Sequence, residues 1–164
     1  MNFAGKAAII TGGAQGIGRA YANALLDIGM KVCICDILEE KALDFIENIP
    51  ETQKINTIFQ KCDVSSLADL RNAFDRVKSE FGRLDIVINN AGVFCEQNYM
   101  KEIEINFVWS PCFWPQCTAQ LKLVSLDIQK ALEPEEVGKA LLKLLDDDKN
   151  GSLLRIDCDG LRYA

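Results

Sequence analysis

The residues with the clearest chemical potential are the glycines of Thr11-Gly12-Gly13-Ala14-Gln15-Gly16-Ile17-Gly18 and the carboxylate of Asp36. Glycine lacks the Cβ that would keep a backbone away from a pyrophosphate. A helix starting at such a turn presents unpaired N–H groups and a positive dipole end to that anion. An acid about 20 residues past the turn can accept hydrogen bonds from ribose hydroxyls, and its charge would repel a 2′-phosphate. No Arg or Lys lies between Thr11 and Gly18 to offset that repulsion. The chemistry expected here is dinucleotide binding, with NAD preferred over NADP.

The elements around these residues must position them. Apolar Ala7-Ala8-Ile9-Ile10 precedes the turn, and Ile17, Ala20, Tyr21, Ala24, Leu25 and Ile28 follow at the spacing of one helix face. Gly29 is placed to end that helix. Val32-Cys33-Ile34-Cys35 then runs into Asp36. The pattern predicts a βαβ unit whose second strand ends on the acid. The spacing Gly12-x-x-x-Gly16-x-Gly18 is one residue longer between the first two glycines than the commonest fingerprint. Glycines alone also suit a tight turn with no ligand; the helix, second strand and Asp36 in register favour the dinucleotide.

Further along, Leu38, Ala42, Phe45, Ile46 and Ile49 predict a helix closed by Pro50, and Thr57–Cys62 a third strand ending on Asp63-Val64. Ser66 and Asp69 form a capping box before the stripe Leu67, Leu70, Phe74, Val77 and Phe81, which reads as core packing. Leu84–Ile88 is a fourth strand delivering Asn89-Asn90-Ala91-Gly92 to the carboxyl edge of the sheet, where ligands of open α/β sheets sit. Asn90 can line a ligand site, tie neighbouring strand ends together, or do both. Tyr99–Phe107 has helical spacing. Val108–Cys117 has none, and its two prolines exclude a regular helix. Pro134-Glu135-Glu136 starts a last helix with Val137, Ala140, Leu141, Leu144 and Leu145 buried, and Ser152–Ile156 gives a last strand.

With 164 residues, 49% apolar and 26% charged, the chain suits one globular domain. Its boundaries read as 1–107 for an intact cofactor half, 108–132 for an irregular junction, and 133–164 for a C-terminal helix and strand. A net charge of −6 argues against nucleic acid as a partner. No apolar run approaches the roughly 18 residues of a membrane span, and the first strand starts too early for a signal peptide, so the expected location is cytoplasmic. Seven cysteines, no histidine and no Cys-x-x-Cys pair favour free thiols over zinc or disulfides.

The pairing of Thr11-Gly-x-x-x-Gly16-Ile17-Gly18 with Asn89-Asn90-Ala91-Gly92 resembles the short-chain dehydrogenase/reductase family. Within it, the surrounding segments are similar to the NAD-dependent 15-hydroxyprostaglandin dehydrogenases and insect alcohol dehydrogenases. The resemblance implies a Rossmann-like doubly wound α/β sheet, shortened to about five strands in the order 3-2-1-4 plus a C-terminal strand. It implies NAD(H) contacts at Gly12, Gln15, Gly16, Ile17, Gly18, Asp36, Ile37, Asp63, Val64, Asn90, Ala91 and Gly92. Asp63-Val64 would border the adenine ring, although an acid at a strand end before a helix cap needs no ligand. Asn106 matches the family's active-site asparagine. The substrate class implied is a secondary alcohol or its ketone.

One part of the family pattern is absent. Its tyrosine base, assisted by a lysine four residues on, has no counterpart: Leu25 follows Tyr21 at that distance, Ile103 follows Tyr99, and Tyr163 is next to last. The resemblance lapses after about Asn106, where the family carries its serine, its Tyr and Lys, and most of its dimer contact. The expectation is a cofactor half without its chemistry half. Such a chain reads as a descendant with little activity, an NAD(H)-binding regulatory module, or a fragment from splicing or a mis-joined gene model. The apolar strand at 84–88 would lose its next neighbour, and the expected replacement is the strand at 152–156.

Overall fold

A computed structural model describes residues 3–92, 122–128, 134–146, 153–157 and 160–163. Strand β1 (Ala7–Thr11), helix α1 (Gly16–Asp27), strand β2 (Lys31–Asp36), helix α2 (Glu39–Asn48), the short helix α3 (Glu51–Lys54), strand β3 (Thr57–Lys61), helix α4 (Leu67–Phe81) and strand β4 (Ile86–Ile88) follow in order. Strand β5 (Lys122–Ile128), helix α5 (Pro134–Asp146) and strands β6 (Leu153–Asp157) and β7 (Gly160–Tyr163) complete the described elements. The strands form one sheet in the order β3-β2-β1-β4-β5-β6-β7. All neighbours run parallel except β6 and β7.

The apolar runs of the sequence become strands buried on both faces, as a parallel sheet covered by helices requires. Ala8 and Ile10 of β1, Val32 and Ile34 of β2, and Ile86 and Ile88 of β4 join one core with Tyr21 and Leu25 of α1, Phe45 of α2, and Leu141 and Leu145 of α5. The alternate residues Ala7, Ile9, Cys33, Cys35 and Val87 pack on the opposite face with Leu70, Ala73 and Val77 of α4. The capping box forms as its residue types predict: the Ser66 hydroxyl accepts from the Asp69 N–H at 3.3 Å, and α4 ends at Gly82 in left-handed conformation. Helix α5 lies against α1, where a Cβ at Gly138 would stand 3.2 Å from that of Ala24.

Two expectations are corrected. The far neighbour of β4 is β5, paired as Ile86↔Lys122 and Ile88↔Val124, and not the strand at 152–156. That strand lies one place further out, beside β5 in the register Ser125↔Leu153. An ordered strand therefore falls inside the stretch 108–132 that the sequence marks as irregular. It meets the same physical need, since β4 is too apolar to leave an edge open. The sheet also has seven strands instead of about five: β7 runs antiparallel to β6, with Asp157 paired to Gly160. Tyr99–Phe107, Asn106, and the prolines, tryptophans and cysteines of 108–117 lie outside the described residues.

Candidate cofactor site

The sheet order reverses direction between β1 and β4, and the carboxyl ends of these two strands form the place where ligands of open α/β sheets bind. Thr11 and Asn90 join them. The Thr11 hydroxyl accepts from the N–H groups of Asn90 and Ala91 at 3.0 Å each. In return, Asn90 Nδ2 donates to the Thr11 and Gly12 carbonyls, also at 3.0 Å each. The tying role of Asn90 is thus realised, while its neighbours Ala91 and Gly92 stay small beside the space in front. Asn89, one residue earlier, carries a buried Nδ2 with no hydrogen-bond partner among the described residues, an unsatisfied donor at the same strand end.

The glycine turn is held against this strand end at close quarters. Gly12 has φ +64°, and a Cβ there would come within 2.9 Å of the Ala91 backbone. Gly18, on the first turn of α1, is more constrained still: its Cβ would meet the Gly12 carbonyl oxygen at 2.2 Å and Asn90 Nδ2 at 2.6 Å. Only glycine lets helix and loop approach in this way. The N-cap residue of α1, Gln15, makes no side-chain cap, and the first turn carries no acid. The amide groups at this helix end are accordingly left for water or an anion. The Gln15 side chain turns outward instead, accepting from Lys41 Nζ at 2.5 Å.

Asp36 is buried, with 7% of its surface exposed, and its two oxygens are used differently from a free ribose acceptor. Oδ2 accepts from the Ala14 N–H of the glycine loop at 2.9 Å, and Oδ1 from the Leu38 N–H at 3.0 Å. The acid therefore braces the glycine loop between β1 and α1, and each oxygen keeps a further lone pair. Asp63 is engaged in its own turn, its Oδ1 accepting from the Ser65 N–H and hydroxyl at 2.9 and 2.6 Å. The turn role open to this residue in the sequence is thus realised as well.

These parts border one cleft of about 490 Å³. Gly12, Gln15, Gly16, Ile17, Asp36, Ile37, Asp63, Val64, Asn90, Ala91 and Gly92 all line it, whereas Gly18 stands behind the loop it lets close. Ile17 and Ile37, 39% and 58% exposed, give the cleft apolar walls. Leu38 and Cys62 also line it and were missed in the sequence. Leu38 reads there as a residue of the α2 apolar face, and Cys62 as the end of the third strand. Their only sequence signal is adjacency to Asp36 and Asp63. The cleft meets the demands of a dinucleotide: close backbone at a helix N-terminus, an acid at the end of β2, and apolar walls beside both.

Comparison with known proteins agrees with the geometry. The family model for short chain dehydrogenase matches residues 6–124, and the chain belongs to that family of oxidoreductases. Human 15-hydroxyprostaglandin dehydrogenase [NAD(+)] is 45% identical over 109 residues, which are 66% of this chain and 41% of that protein. The chain thus spans about two-fifths of the length of this relative. A short chain dehydrogenase/reductase from Macrophomina phaseolina is 27% identical over 158 residues, covering 96% of this chain and 90% of its own length. Among solved structures, a short-chain dehydrogenase from Novosphingobium aromaticivorans shares the fold, with a TM-score of 0.79 at 17% identity over 96% of this chain and 82% of its own.

Proposed function

We propose that this chain holds NAD(H) in the cleft at the β1/β4 switch point. By lineage it derives from dehydrogenases that oxidise the CH–OH group of a secondary alcohol, hydroxyprostaglandin-like or small, and it carries little or no such turnover itself. The observation that carries the cofactor reading is the convergence of an uncapped helix N-terminus and a buried Asp36 on one cleft. Gly12, Gly16 and the first turn of α1 would hold the pyrophosphate, and Asp36 the adenosine ribose. Ile37, Asp63 and Val64 would flank the adenine, with Asn90, Ala91 and Gly92 towards the nicotinamide. The negative charge of Asp36 favours NAD over its 2′-phosphorylated form, and the human relative's name specifies NAD(+).

The reading of low turnover follows from the proton. Bound nicotinamide supplies the hydride acceptor, but a protein group must take the hydroxyl proton as the hydride leaves. Tyr21 is unsuited to this: it is 3% exposed in the core, and burial pushes its hydroxyl well above the ordinary tyrosine range. The chain contains neither a Tyr-x-x-x-Lys pair nor a histidine. Asn106, by resemblance the remaining active-site residue, would have no base to serve.

The test pairs binding with turnover. Calorimetric titration with NADH is expected to show saturable binding. Absorbance at 340 nm, with NAD and either a hydroxyprostaglandin or small secondary alcohols, is expected to show rates at least ~10²–10⁴-fold below those of the human relative, the usual cost of a lost general base. Comparable rates would refute the inactive reading and point to an unrecognised base.

A further inference from the structure

The glycine turn carries no cation of its own between Thr11 and Gly18, yet the fold brings one to it from α2. Lys41 Nζ donates to Gln15 Oε1 at 2.5 Å, closing a gap of 26 residues in sequence. Both ends of this bridge adjoin the groups that hold Asp36. Gln15 follows Ala14, whose N–H binds Asp36 Oδ2. Lys41 lies in the first turn after Leu38, the N-cap residue of α2, whose N–H binds Asp36 Oδ1. Gln15, Asp36, Ile37 and Leu38 in turn line the cleft together. The ammonium therefore stands at the Asp36 end of the cleft, which it reaches through Gln15.

The charge of Lys41 is not committed elsewhere. Among the described residues it makes no ion pair, and a neutral amide leaves it with donors to spare. Lys61, opposite Asp36 in the β2–β3 register, is by contrast paired with Glu39 at 3.4 Å. A cation in the first turn of a helix also works against the dipole, which Glu39 and Glu40 suit at the same place. Helix stability thus gives no reason for a lysine at this position.

We propose that Lys41 is a specificity-determining residue of the cleft, the cation that lets a 2′-phosphomonoester on the adenosine ribose be tolerated beside Asp36. The proposal rests on the reading of the cleft as a dinucleotide site with Asp36 at that ribose. Asp36 alone repels a phosphate at the 2′ oxygen. The ammonium offsets part of that repulsion by exchanging the Gln15 amide for a phosphate oxygen, in a charge-assisted hydrogen bond. A ribose with a free 2′ hydroxyl offers it no charge to neutralise, and it stays with Gln15. The chain then prefers NADH, but by a smaller margin than Asp36 alone would set.

The test is the ratio of NADPH to NADH affinity, from calorimetric titration of the full chain at low salt. Lys41→Gln should lower NADPH affinity relative to that of NADH by roughly two- to five-fold, the worth of one exposed ion pair. Lys41→Glu should widen the gap further, and both effects should shrink at about 1 M salt, where screening acts within about 3 Å. Lys54→Gln, on α3 and outside the cleft, removes the same unit of charge and should keep the parent ratio. Equal losses for both dinucleotides in Lys41→Gln would place the ammonium at the shared pyrophosphate and overturn the proposal. An unchanged ratio, or a parent chain that binds NADH and not NADPH, would overturn it as well while leaving the cofactor reading intact. A folded parent that binds neither dinucleotide would refute the cofactor reading itself, and this proposal with it.

Discussion

Replacing Asn90 by Ala tests the switch point where the two halves of the site meet. The amide donates two hydrogen bonds of 3.0 Å, to the carbonyls of Thr11 and Gly12. Neutral hydrogen bonds contribute about 0.5–1.5 kcal/mol each in net terms, so removing both costs about 1–3 kcal/mol. Asn90 is partly exposed, and water can reach the vacated carbonyls, which favours the lower half of that range. For a domain of this size a loss of ~1–2 kcal/mol lowers Tm by about 2–8 °C. Urea denaturation followed by circular dichroism should show a lower midpoint at unchanged slope, since the surface exposed on unfolding is the same. Asn90→Asp sharpens the prediction: it keeps the shape but turns a carboxylate oxygen towards two carbonyls, and should be at least as costly as Ala at neutral pH. A loss below ~0.5 kcal/mol for Ala, or a milder effect for Asp than for Ala, would refute the tie between β1 and β4.

Other parts of the structure give independent tests. Gly18→Ala places a methyl 2.2 Å from a carbonyl oxygen, so loop or helix must move; about 1–3 kcal/mol of stability should be lost, together with NADH binding in a calorimetric titration. Leu141→Ala, in the fully buried face of α5, should cost about 2–5 kcal/mol by urea denaturation, whereas a negligible cost would show that α5 does not dock on α1. Burial alone would raise the Asp85 carboxyl, but hydrogen bonds from Arg83 and the Ala7 N–H hold it below the ordinary aspartate range. A depressed carboxylate stabilises the fold fully above its unfolded value of about 4 and loses that contribution as pH falls through the folded one. Asp85→Asn should therefore be less stable than the parent at pH 7, with the gap closing on acidification below pH ~4; a gap that does not depend on pH would contradict the pairing.

How far the sequence carries depends on how local each signal is. The run from β1 to α4 is legible because each element has its own period and stop: Gly29 with φ +78° after α1, the Ser66 cap and Gly82 around α4. The cleft walls are legible because loop residues at strand ends face it whatever the packing. The double use of Asp36 is not legible, since its hydrogen bond to Ala14 closes across 22 residues and depends on how the loop folds back. Strand β5 carries a faint signal, with Val124, Leu126 and Ile128 alternating, but it follows a proline- and tryptophan-rich stretch that has no period at all. The partner of β4 could not be read locally, because any apolar strand would satisfy its edge.

The measurement that bears most directly on the central claim is a calorimetric comparison of NADH and NADPH on the parent chain and on Asp36→Ala. Because Asp36 also braces Ala14 and Leu38, thermal unfolding of the variant must be followed alongside, so that lost binding is read only where the protein remains folded. Saturable NADH binding by the parent, weaker binding of NADPH, and a narrowed gap between the two in Asp36→Ala are the predicted result. A folded parent chain that binds neither dinucleotide, or binds both equally, would contradict the cleft as an NAD site.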